Sequence, residues 1–161
     1  MARRFSPGRR KLLQATALLP SALAGGDSKR NFTAAEFELV QELTETIIPA
    51  DPHSAGAKAA GVADFIQQTL QQTVDASQRN LWSEGLRLVD ASSKKRFGKP
   101  FVAASVEERN QVLASVSNTR FFQELKRLTV LGYYTSKIGI LDELEYKGNR
   151  IHNEFSGCDA D

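Results

Sequence analysis

The chain has 161 residues, 41% of them apolar and 25% charged, with a formal net charge of +2. That length suits one domain with a real core, and no run approaches the roughly 20 apolar residues of a membrane span. Five of the 21 basic residues (Arg3, Arg4, Arg9, Arg10 and Lys11) precede the first acid, Asp27, which leaves 16 bases against 19 acids in the remainder; such a body lacks the basic field that captures nucleic-acid phosphates.

The first predicted element is a leader. Residues 1–24 read as a basic stretch, an apolar run over 12–24 interrupted by Gln14, Thr16, Pro20 and Ser21, and the small-residue pattern Ala22-Leu23-Ala24. That order is the three-part layout of a cleavable signal peptide, with the cut expected after Ala24. Arg9-Arg10-Lys11-Leu12-Leu13 resembles the twin-arginine export motif, although Gly8 stands where Ser or Thr is commoner. The expectation is a periplasmic protein exported already folded, with residues 25–31 as a linker.

A helical domain is expected over residues 32–146. Thr33 and Glu36 form a capping box, and Phe37, Val40, Leu43 and Ile47 follow at helical spacing until Pro49 removes a needed donor. The Asp51-Pro52-His53-Ser54-Ala55-Gly56 stretch is a loop by composition. Val62, Phe65, Ile66, Leu70 and Val74 mark a second amphipathic helix, and Leu81, Trp82, Leu86 and Val89 a third. The third exits through Lys94-Lys95-Arg96 toward Gly98 and Pro100, because cations suit a helix C-terminus. Ser105 and Glu108 repeat the capping box ahead of Val112, Leu113 and Val116; after a break at residues 117–119, Phe121, Leu125, Leu128 and Leu131 define a fifth helix. It runs into Gly132-Tyr133-Tyr134-Thr135-Ser136, where close packing is expected, and Leu141 and Leu144 amid Asp142, Glu143 and Glu145 suit a short amphipathic turn. Residues 147–161 read as an irregular tail. The fold class is all-α, a compact bundle of five to six helices.

Cofactor signatures are missing: no Gly-x-Gly-x-x-Gly follows a strand, no Cys-x-x-Cys-His would attach haem, and no phosphate loop occurs. His53, His152 and Cys158 have no metal-ligand spacing. His53 beside Asp51 has the residue types of a general base and its partner, but a solvated histidine and a turn-forming aspartate account for both, and no nucleophile accompanies them. Asp64, in a first helical turn, is explained by the helix dipole. Tyr133 and Tyr134 suit either core packing or an amphipathic protein interface, and adjacent Phe121 and Phe122 are both covered only on an enclosed helix or against a partner. Cys158 is the sole cysteine, so it is either free or bridged to another chain.

Two stretches carry a family resemblance. One runs Glu45-Thr46-Ile47-Ile48-Pro49-Ala50-Asp51-Pro52, then Gly56-Ala57 and Gly61-Val62-Ala63-Asp64-Phe65-Ile66; the other is Phe122-Gln123-Glu124-Leu125-Lys126 with Leu131-Gly132-Tyr133-Tyr134-Thr135-Ser136 and Gly139, closed by Gly157-Cys158. The chain resembles the gluconate 2-dehydrogenase subunit 3 family over most of residues 32–158. The resemblance implies a non-catalytic accessory subunit, assisting the folding and export of a large subunit that holds FAD and oxidises a sugar, with a cytochrome c subunit passing electrons onward. It implies no cofactor in this chain, a Cys158 position suited to bridging the large subunit, and membrane association only through partners. Gluconate, glucose and glycosides all fit as substrates of the complex. The alternative is a free-standing periplasmic helical module that binds a small ligand between its helices.

Overall fold

The computed structural model describes residues 31–72 and 75–149. Five α-helices carry the architecture: α1 (Ala34–Ile47), α2 (Val62–Gln72), α3 (Ala76–Phe97), α4 (Val106–Val116) and α5 (Arg120–Tyr134). A 3₁₀ turn at Phe101–Ala103 joins α3 to α4, and a π-helical turn at Gly139–Glu143 follows α5. No strand occurs among the described residues, so the all-α bundle stands as the sequence pattern predicts.

Helix boundaries follow from local chemistry. Thr33 and Ser105 both close full capping boxes, accepting from the backbone N–H of Glu36 and Glu108 while those carboxylates accept from the cap N–H. Asp75 and Thr119 cap α3 and α5, their side chains accepting from the backbone N–H of Ser77 and of Phe122. The long α3 ends at Gly98, whose φ of 73° is the left-handed cap conformation open to glycine at no steric cost. As expected, α1 stops before Pro49 and a break separates α4 from α5.

The core gathers one apolar face from each helix. Val40 and Leu43 of α1, Val62 and Ile66 of α2, Leu86 and Val89 of α3, Val112 of α4, and Leu125 and Leu128 of α5 are all sealed from solvent. Trp82 sits among aromatics, 5.7 Å from the ring of Phe32 and 5.4 Å edge-on to Phe121, an arrangement that matches ring quadrupoles. Phe121 is buried there and Phe122 is half-buried at the core margin, while Arg120 and Gln123 of the same first turn are exposed. Helix α5 is central, touching α1, α2 and α3, and this puts its C-terminal end against the loop between α1 and α2.

Candidate functional site

The loop over residues 49–61, singled out by its turn-forming composition, is rigidly wired. Asp51 Oδ1 accepts from the backbone N–H groups of His53 and Ser54, both at 2.8 Å, and the Asp51 N–H returns to the Ser54 carbonyl at 3.0 Å. These backbone donors hold the exposed Asp51 carboxyl below its ordinary range. Glu45 closes the loop from the α1 side, its two oxygens accepting from the amides of Ala50 at 3.1 Å and Lys58 at 2.8 Å. Only glycine fits at residue 56: a Cβ there would stand 2.3 Å from Glu45 Oε1 and 2.6 Å from the Ala50 nitrogen.

The second singled-out cluster, at the end of α5, completes this wiring. The Tyr133 hydroxyl donates to the Ala55 carbonyl at 2.8 Å and lies 2.6 Å from Ser54 Oγ. With its proton on Ala55, it accepts from the serine. The ring is 2% exposed, so Tyr133 belongs to the core, whereas Tyr134 is 38% exposed and stands edge-on to it at 5.3 Å. Of the two tyrosines offered as interface residues, only Tyr134 presents surface. The close packing expected at Gly132 is present, since a Cβ would meet the Phe65 ring at 2.7 Å.

Periodicity gave no notice of a third cluster. Glu42 accepts from Lys58 Nζ at 2.6 Å and from Arg109 of α4. Arg109 also donates to the carbonyls of Val102 at 2.7 Å and Phe101 at 3.3 Å, and its guanidinium lies 5.7 Å over the Phe101 ring. Burial pushes the Glu42 carboxyl up, but the hydrogen bonds from Lys58 and Arg109 outweigh it and leave it below its ordinary value of 4.5. Such a triad fixes α1, α4 and the 3₁₀ turn together, and every polar group in it is occupied.

These arrangements hold structure in place. Asp51 spends its carboxylate on backbone amides, and His53 is exposed with its own amide in that turn, so the two are not arranged as base and orienting partner. Among the described residues no group of three His, Cys, Asp or Glu side chains could hold a metal ion, and no helix is long and apolar enough to cross a membrane. One apolar recess is an open groove of about 270 Å³ between α1, α3 and the 3₁₀ turn, lined by Leu39, Leu86, Pro100 and Val102. Arg9, Arg10, Leu12, Leu13, Ala22, Ala24, His152 and Cys158 lie outside the described residues.

The family model described as gluconate 2-dehydrogenase subunit 3 matches residues 34–150 of the chain. No curated protein and no solved structure matches the chain.

Proposed function

The chain belongs to the gluconate 2-dehydrogenase subunit 3 family, hence to the small subunits of that dehydrogenase complex, and from this premise we propose that it is the non-catalytic accessory, folding and export subunit of a periplasmic flavin-dependent sugar or sugar-acid dehydrogenase. The family match over 34–150 carries the reading. Supporting it, the polar clusters of the described domain are consumed in tying helices and loops together. In this reading FAD resides in the large subunit and haem c in a cytochrome subunit. The Arg9-Arg10 leader directs the folded pair through the twin-arginine route, because a cofactor-loaded partner lacking its own signal needs a carrier that crosses folded. Tyr134 contributes contact surface, and Cys158 forms the bridge to the large subunit.

The test is purification of the C-terminally tagged chain from the periplasm of its native host under non-reducing conditions. A yellow complex with a large flavoprotein, separating into two bands on reduction, is expected. A colourless lone monomer overturns the reading. That outcome would favour the free ligand-binding module, for which the apolar groove beside Leu39 and Leu86 is one candidate recess.

A further inference from the structure

Four buried side-chain atoms have no hydrogen-bond partner among the described residues: Asn31 Nδ2, Gln67 Oε1, Gln78 Oε1 and Trp82 Nε1. The two glutamines border separate recesses, but Asn31 and Trp82 line the same one. Trp82 is 1% exposed, and an indole N–H can only donate. Buried donors are normally satisfied, so two orphans sharing a recess mark a place suited to receiving an acceptor.

The recess forms where three helices meet. Asn31 and Phe32 lead into α1, Leu70 lies near the end of α2, and Arg79 and Trp82 share a face of α3 at i, i+3 spacing. Glu36 enters from α1. Its Oε2 accepts from the Thr33 N–H and hydroxyl, both at 2.9 Å, which leaves Oε1 to accept from something else. Phe32 and Leu70, each 5% exposed, make an apolar wall beside the indole. The recess measures about 200 Å³, many times the roughly 10–15 Å³ that one water needs.

We propose that this recess binds a small uncharged polyol, from glycerol to a six-carbon cyclitol in size. A hydroxyl accepts from Trp82 and Asn31 and at the same time donates to the Glu36 carboxylate, so one group answers both sides of the site. The carbon side of the polyol lies against Phe32 and Leu70. Charge argues against an anion: Glu36 is half-buried, whereas Arg79 is exposed, its field screened by solvent and answered in part by Asp75. An ammonium or a purely apolar ligand would leave both orphan donors without an acceptor. The site stands independently of the accessory-subunit reading, and neither outcome of its test bears on that reading.

Trp82 is the sole tryptophan, so isotope-labelled tryptophan in the full-length chain gives a single indole N–H resonance, which moves when its proton gains an acceptor. Titration with myo-inositol and with glycerol is expected to shift it saturably. For inositol the dissociation constant should be on the order of 1–10 mM, the range open to a ligand of about a dozen heavy atoms. Acetate and acetamide should bind about tenfold more weakly or not at all. Asn31→Ala removes one donor, and Glu36→Gln keeps the capping role while weakening the acceptor. Each should weaken inositol binding about fivefold or more, whereas Arg87→Ala, on the separate groove beside Leu39, leaves it unchanged. Circular dichroism checks that the variants are folded. An indole resonance that none of the probes moves assigns the two donors to water and overturns the proposal. Tighter binding of acetate or acetamide, or inositol binding indifferent to both substitutions, overturns it as well.

Discussion

The Tyr133 hydroxyl at the end of α5 lies 2.6 Å from Ser54 Oγ, 79 residues earlier in the chain. One phenol thereby ties the α1–α2 loop to the central helix, and it does so inside the core, where a polar group without a partner is costly. Tyr133→Phe would keep the ring and leave Ser54 Oγ and the Ala55 carbonyl only their long 3.4 Å bond to each other. The expected loss is roughly 1–3 kcal/mol. Hydrogen exchange should report it locally, with faster exchange at the Asp51 and Ala57 amides than at those of α3; uniform exchange across the domain would show that the loop is not tied separately.

Gly56 and Gly139 are both held by close approach. Gly56→Ala places a methyl group 2.3 Å from Glu45 Oε1, and Gly139→Ala places one against the backbone oxygen of Tyr133. Each substitution should destabilise by about 2 kcal/mol or more, since backbone has to move. Gly132→Ala should cost less, because the atom it meets at 2.7 Å is on the Phe65 side chain, which can turn. Thermal unfolding of the three variants checks the order.

Glu42 should make stability acid-sensitive. Its carboxyl is held below 4.5 in the folded chain, so the fold favours the ionised form. The contribution is therefore complete above about pH 4.5 and is lost as pH falls through the lower folded-state value. Asp51 and Glu108 are shifted in the same direction, by backbone bonds from Ser54 and His53 in the first case and by Lys99 and Ser105 in the second. In Glu42→Gln the decline in melting temperature between pH 5 and pH 3 should be shallower than in wild type; an unchanged slope would remove Glu42 from the account.

Arg109→Ala should be more damaging than Lys58→Ala. Arg109 serves two carbonyls of the 3₁₀ turn besides Glu42 and is largely covered, whereas the Lys58 side chain is about half exposed. The expected costs are roughly 2–3 kcal/mol and under 1 kcal/mol. Chemical denaturation of both variants decides the order.

Ser105→Ala removes the cap of α4 and should cost about 1 kcal/mol. The loss should be partly recovered by Ser105→Asp, which restores an acceptor for the Glu108 amide. Equal stability of the two variants would place the effect elsewhere.

Much of this architecture was legible along the chain because its signals are short-range. The Thr33/Glu36 and Ser105/Glu108 boxes, the Gly98 exit and the stop before Pro49 each depend on neighbours within about four residues. Apolar spacing likewise identified buried faces, with Val40, Leu43, Leu125 and Leu128 all inside. The family resemblance was readable for a similar reason: its Pro, Gly and Tyr positions lie in the segments that geometry constrains most tightly, around Gly56 and Gly132.

What the sequence by itself determined was the helical class, the element order and the family. Only the tertiary structure decided which of two adjacent tyrosines is core and which is surface, and it did so because consecutive helical residues point about 100° apart and α2 covers one side of α5. It also decided that Glu42 meets Arg109 across 67 residues and that Glu45 serves amides on both sides of a loop. Pairings of that range leave no periodic trace, since their partners are fixed by how helices pack and not by spacing along any one of them.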